Sequence, residues 1–340
     1  MLIESKAPTR VDLAGGTLDI WPLYLFHVPS VTVNAAVTLY ARCTIETHAR
    51  SNRSIRLISR DTGHAERFAS HSDLYAARRY RLPLLAHLVR FFGPQGGFTL
   101  TTESEAPAGA GLGGSSAMAV AICAALDRLV VRQGGHRGPR QWIHISRDVE
   151  CMVLGVPTGT QDHYPAAFGG VNAILLQPGE EVRSELRVDP RELERRLVLC
   201  YTGKPRRSGI NNWEVLKAHL DGNRQVQRNL ARIAGIAREL CGQLATQQWH
   251  EVGRLVREEW EFRRRNLPTI STPTIDRILS AARRAGALGG KACGAGGGGC
   301  VVMLIEPDAR AAVEAAVRDV GGTLLPARID RAGVRVKIRK

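Results

Sequence analysis

Apolar and polar positions alternate along this chain in two rhythms, and the balance between them changes partway along. Lys6–Leu13, Val31–Thr47, Ser54–Ser59 and Gly97–Thr102 are rich in Val, Ile, Thr and aromatic residues, often at period two, which predicts strands. Leu82–Phe92 and Arg140–Leu154 carry helical spacing. Between Ser115 and Val131, Met118, Ala121, Ile122, Ala125, Leu126, Leu129 and Val130 recur at three-four spacing among further apolar residues, so this helix is expected to be buried deeply. After a strand at Arg196–Tyr201 the rhythm turns helical: Gln225–Trp260 reads as strongly helical, with Val226, Leu230, Ile233, Ala237, Leu240, Cys241 and Leu244 on one face. Helix Pro273–Ala285, a glycine tract at 294–299, strand Cys300–Ile305, helix Asp308–Val320 and closing strands complete the chain. The shift from strand-rich to helix-rich patterning predicts two α+β domains meeting near 180–195, taken as 1–185 and 186–340. No internal repeat interrupts this plan.

Composition narrows the reading. With 340 residues, 44% of them hydrophobic, the chain can bury a sizeable core. A net charge of +15 points to anionic partners. The Arg-rich clusters at 78–81, 263–265 and 335–340 lack aromatic interleaving and any zinc-finger or helix-turn-helix spacing, so a phosphorylated small molecule fits better than nucleic acid. Seven scattered cysteines with no CxxC pair predict reduced thiols in a cytoplasmic protein. Met1–Ala14 carries charge throughout and has no apolar core of about 7–15 residues, and no later run reaches the roughly 20 apolar residues of a membrane span, which predicts a soluble chain.

The candidate chemistry starts at "EAPAGAGLGGSSAMAV", residues 105–120, where a glycine loop opens directly into the buried helix. Such a junction presents backbone N–H groups and the positive end of a helix dipole, which together bind anions. A dinucleotide fingerprint is excluded, because the loop follows "ESEAPA" and lacks an acid about 20 residues on; a Walker loop is excluded by the absence of a Lys after the last glycine. Ser115 and Ser116 stand in the first helical turn, where a hydroxyl caps the helix, meets a phosphate oxygen or reaches Mg²⁺.

Three stretches together resemble one family. "PAGAGLGGSSA" at 107–117, "KAPTRVDLAGGTLD" at 6–19 and "GGKACGAGGGGCVVML" at 289–304 are similar, in order and separation, to the three motifs of the GHMP small-molecule kinases. "GTQDHYPAAFGGVNAI", "YTGKPRRSG" and "GALGGKACGAGGGG" further resemble D-glycero-D-manno-heptose 7-phosphate kinases and related sugar kinases. The resemblance implies a two-domain α+β fold, with an N-terminal domain like the second domain of ribosomal protein S5 and a ferredoxin-like C-terminal domain. It implies ATP and Mg²⁺ as cofactors and transfer of phosphoryl to a sugar hydroxyl, most simply the anomeric hydroxyl of a heptose 7-phosphate.

Carried over residue by residue, the resemblance places ATP on Pro107, Gly109, Gly111, Leu112, Gly113, Gly114, Ser115 and Ser116. It assigns Mg²⁺ to Ser116 and Glu150. Asp162 takes the catalytic base position, with Arg10 lowering its pKa and steadying transition-state charge, and Lys6 as the alternative to Arg10. Gly16, Thr17, Asp19 and Asp162 fall at the acceptor, and Arg207, beside Arg206, is a candidate grip on a substrate phosphate. His163 reads as structural or peripheral. "GGTLD" departs from the relatives' "GGGTD", which predicts a reshaped acceptor pocket. A galactokinase-like, fucokinase-like or mevalonate-type substrate, and a silent ATP- and sugar-binding sensor, stand as alternatives; a homodimer is as compatible with the sequence as a monomer.

Overall fold

A computed structural model describes residues 1–131, 137–206, 209–326 and 328–339. Two long strands, β1 (Leu2–Ala14) and β2 (Ser30–Thr47), set the frame of the first half, paired antiparallel from Leu2↔Glu46 to Ala14↔Val33. Their register slips between Pro8 and Thr9, where a residue without a backbone N–H is tolerated. The 18 residues of β2 are long enough to take two partners along one strand. Residues 41–47 pair with β5 (Phe98–Ser104), and residues 30–35 pair with β6 (Val171–Gln177). With β3 (Ile55–Ser59), β4 (His64–Phe68) and β7 (Glu180–Glu185), and with β12 (Arg335–Arg339) returning to the edge of β1, they form an eight-stranded sheet. All pairs are antiparallel except β3 with β5.

The shorter helices α1 (His71–Ala76) and α2 (Pro83–Phe92) precede α3 (Gly114–Val130), which packs on β1 and β2 with Ala117–Leu126 wholly buried. Its continuous apolar sequence reflects cover on every side. Helices α4 (Pro139–Leu154) and α5 (His163–Phe168) close over it.

After α6 (Pro190–Arg196), strands β8 (Leu197–Tyr201), β9 (Ala287–Ala292), β10 (Cys300–Ile305) and β11 (Thr323–Leu325) build a second sheet in the antiparallel order β11-β8-β10-β9. Numbered within the sheet this is 4-1-3-2, the ferredoxin-like order. It is covered by α7 (Ile210–Leu220), α8 (Arg224–Ala245), α9 (Trp249–Arg264), α10 (Pro273–Arg284) and α11 (Arg310–Asp319). The expected helical span 225–260 is two antiparallel helices: the chain turns at Thr246–Gln248, with Gln247 in the left-handed region at φ +54°. The split into consecutive halves at 185/186 is also modified, since β12 leaves the second half to join the first sheet. All seven cysteines are free thiols, and no helix among the described residues is long and apolar enough to cross a membrane.

Candidate active site

The loop between β5 and α3 is held from behind. Carbonyl oxygens of four successive residues each accept a hydrogen bond: Gly109 from Arg206 N (3.2 Å), Ala110 from Cys300 N (2.7 Å), Gly111 from Arg10 Nη1 (2.6 Å) and Leu112 from Arg10 N (2.9 Å). A trans peptide sets its N–H opposite its C=O, so pinning the carbonyls also fixes the donors between them. The N–H groups of Gly111 through Ser116 have no partner among the described residues, and the last three are the orphan donors of the first turn of α3. Six free donors at a 17-residue helix's positive end make an anion cradle. Gly113 has to be glycine: its φ is +69°, and a Cβ there would sit 3.1 Å from Asp162 Cβ. Cys300, directly after the glycine tract at 294–299, braces the loop through its N–H on Ala110 O.

The cradle opens on a cavity of about 480 Å³. Arg10, Thr17, Asp19, Glu150, Asp162 and every loop residue expected at ATP line it. Gly16 does not: it lies one layer behind, its carbonyl accepting from Arg263 Nη2 at 2.8 Å. Arg207 lies outside the described residues. Lys6 is turned elsewhere on β1, its ammonium 4.4 Å from the ring centre of Tyr40, so Arg10 alone of the two reaches the cavity.

Arg10, 1% exposed, donates Nε (2.8 Å) and Nη2 (2.5 Å) to Asp162 Oδ1. Burial disfavours its charge, but Asp162 and Asp12 reverse the effect and hold it firmly protonated. Asp162 Oδ2 has no partner among the described residues and faces Gly113. The turn presenting Asp162 is fastened by Asn34 Nδ2 to Gln161 O (3.1 Å) and by Thr160 Oγ1 to Glu181 Oε2 (2.9 Å). Asp19 Oδ2 accepts from Gln161 N at 2.9 Å, so two carboxylates meet at one turn. Burial pushes the Asp19 carboxyl up to about 6, helped by the charge of Asp162 and opposed by the Gln161 N–H. Gly159 is required for this approach, because a Cβ would fall 1.8 Å from Asp19 Oδ2.

On the other side of the cradle, Ser116 Oγ donates to Glu150 Oε2 at 2.8 Å, and both side chains are buried. Burial alone would raise Glu150; His163, with Nε2 3.3 Å from the same oxygen, and the hydroxyls of Ser115 and Ser116 bring it below the usual carboxylate range. His163 is buried beside Glu150.

Several residues that the motifs did not single out complete the site. Asp12 Oδ2 accepts from Lys291 Nζ (2.7 Å), and its Oδ1 accepts from Gly294 N (2.7 Å). Lys291 also pairs with Glu259 Oε2 at 3.1 Å, and Glu259 Oε1 accepts from Arg263. All four side chains are sealed from solvent. Burial would raise Asp12, but Lys291, Arg10 and Arg263 outweigh it and hold the carboxyl well below its usual range. This chain of alternating charge joins β1 of the first sheet to α9 and β9 of the second. The Arg206 guanidinium lies between Gly111 and Gly294, with Nε and Nη1 sealed from solvent and unpartnered among the described residues. Burial, then the nearby Arg10, lowers its proton affinity, and Asp162 and Asp12 oppose this; its side chain lines the cavity.

Comparison with known proteins gives the same picture. The family model "GHMP kinases N terminal domain" matches residues 78–170, and "GHMP kinases C terminal" matches residues 237–323. The chain is 26% identical over 343 aligned positions to the D-glycero-alpha-D-manno-heptose 7-phosphate kinase of Campylobacter jejuni, covering 98% of each. It is 26% identical to a D-glycero-D-manno-heptose 1-phosphate kinase from Bacteriodes thetaiotaomicron, whose crystal structure superposes with a TM-score of 0.77 over 99% of this chain and 100% of that one. Lactococcus lactis galactokinase, crystallised with galactose, shares the fold at 18% identity, with a TM-score of 0.81 over 98% of this chain and 95% of that one.

Proposed function

The chain belongs to the GHMP kinases, and from that premise we propose that it transfers the terminal phosphoryl group of ATP to a hydroxyl of a sugar phosphate, D-glycero-D-manno-heptose 7-phosphate, at the anomeric position. One observation carries the reading: Asp162, with Oδ1 held by Arg10, stands directly against a cradle of six N–H groups, and neither its Oδ2 nor those N–H groups have a partner among the described residues. Phosphoryl transfer needs this juxtaposition, since the attacking hydroxyl has to lose its proton in line with a phosphate whose charge is neutralised.

In this reading each residue of the cavity has a role. The donors of Gly111–Ser116 hold phosphate oxygens, and the apolar wall of Leu82, Leu85 and Met118 receives the flat base. Asp162 Oδ2 takes the hydroxyl proton; Arg10 fixes the carboxylate's orientation and carries part of the developing charge. Arg206 offers a second cation to the same phosphates. Asp19 accepts hydrogen bonds from acceptor hydroxyls. Glu150 and Ser116 supply two buried oxygen donors beside the cradle, a set that suits Mg²⁺, which keeps several waters and takes its remaining ligands from phosphate. Bound there, Mg²⁺ neutralises phosphate charge. The seven free thiols fit a reducing compartment, the cytoplasm.

The test is Mg²⁺-dependent ADP release across heptose phosphates, free sugars and mevalonate, with Asp162→Ala alongside. Turnover with the heptose 7-phosphate that falls about 10²–10⁴-fold in the variant is expected. Turnover with mevalonate alone, or binding of ATP and sugar without turnover, would overturn it.

A further inference from the structure

Thr17 departs from ordinary backbone chemistry. Its φ is +74°, in the left-handed region where a β-branched residue is a genuine outlier, and only Gln247 shares that region among the other described non-glycine residues. It occupies this conformation in the wall of the active-site cavity, two residues before Asp19. Strain of this kind persists only where the surroundings over-determine it.

The surroundings here are specific. Arg263 Nη1 donates to Thr17 Oγ1 at 3.1 Å, and Arg263 is itself fixed by Glu259 at the end of the buried chain of charges. An arginine donates and never accepts, so the Thr17 hydroxyl proton is free to go elsewhere. It goes to Asn212 Oδ1, at 3.0 Å. Asn212 stands in the first turn of α7 and also lines the cavity. With its carbonyl oxygen engaged by Thr17, its amide nitrogen is left as a donor with no partner among the described residues.

We propose that Asn212 is an acceptor-binding residue whose amide N–H₂ donates to an oxygen of the sugar phosphate, and that Thr17 is the positioning residue that sets the orientation of that amide. This rests on the kinase reading above and names the groups that select its acceptor. Glycine at position 17 would relieve the backbone but leave the amide free to rotate and offer either end. The threonine hydroxyl is therefore the part of this side chain that reaches the acceptor, through Asn212. Asp19 accepts and Asn212 donates, so the pocket is built for a ligand with both hydroxyl donors and oxygen acceptors close together.

The test is steady-state kinetics with D-glycero-D-manno-heptose 7-phosphate on the full chain, comparing wild type with Asn212→Asp, Asn212→Ala, Thr17→Ala and Thr17→Ser. Asn212→Asp keeps the oxygen that Thr17 contacts and loses the donor. It is expected to raise acceptor KM about tenfold or more, the loss of one hydrogen bond, with KM for ATP unchanged. Thr17→Ala should raise acceptor KM in the same sense, and Thr17→Ser, which keeps the hydroxyl, should restore it; a packing role for the threonine would not be rescued this way. Wild-type turnover with acceptor KM in all four variants within twofold would overturn the inference and leave the kinase reading standing. No wild-type turnover with any sugar or sugar phosphate would overturn the kinase reading, and this inference with it.

Discussion

Asp19→Asn is expected to make the unliganded protein more stable while it damages acceptor binding. Asp19 is 5% exposed, and its carboxyl is raised from 3.8 to about 6. A carboxyl raised on folding contributes its full stability below its unfolded value, near pH 4, and loses it as pH rises through 6. Above pH 7 the native state therefore carries a buried charge at a net cost. That shift is a little over a hundredfold in proton affinity, equivalent to about 3 kcal/mol. Asparagine keeps an oxygen for Gln161 N and removes the titration. For a chain of this length, about 3 kcal/mol corresponds to a rise in Tm of about 4 °C. Calorimetry of both proteins at pH 8, 6 and 4 is the assay. The gain should be largest at pH 8 and vanish near pH 4, while acceptor KM at pH 8 rises about 10–100-fold, the worth of a hydrogen bond to a charged group. A variant no more stable than wild type at pH 8, or equally stabilised at pH 4, would refute the reasoning.

Two other substitutions probe the remaining charges. Lys291→Met strands Asp12 and Glu259 without their shared cation and should cost about 3–5 kcal/mol at pH 8, read as a lowered Tm. Since Asp12 is held well below its usual range in the wild type, its contribution is full above about pH 4 and is lost only as pH falls further, so the gap between the two proteins should narrow below pH 4. Glu150→Gln should raise the Mg²⁺ concentration for half-maximal activity at least tenfold, with activity recovering at high Mg²⁺; an unchanged Mg²⁺ dependence would remove Glu150 from that role.

What the sequence disclosed was what is local. The phosphate loop, the burial of α3 and the turn bearing Asp162 are contiguous stretches whose spacing carries their geometry. Lys6 and Arg10 show where such reading stops. At four positions apart they share a strand face by period two, yet they lie about 13 Å apart along the strand. The phosphate loop covers one, and Tyr40 the other. No alternation rule contains that cover. The partnership of Asp12 with Lys291 spans 279 positions, so it exists only once both sheets are assembled. Asn212 lies outside the three motifs, and its significance comes from Thr17, whose own oddity is a backbone angle invisible in the letters. The turn at Gln247 was missed because Thr and Gln are tolerated inside helices, and only the packing of α8 back on α9 forces the reversal.

The return of β12 to the edge of β1 bears on how the cleft can move. The chain passes from the first sheet to the second between β7 and β8, and passes back between β11 and β12. A body tethered at one point can swing in any direction, whereas one tethered at two can only turn about the line joining them. Here even that turn is stopped, because one buried core runs across both sheets, from Val11 and Val33 to Leu199 and Val302. Lys291 and Gly294 are held on Asp12 as part of one frame, which fixes the wall of the cavity beside the phosphate loop.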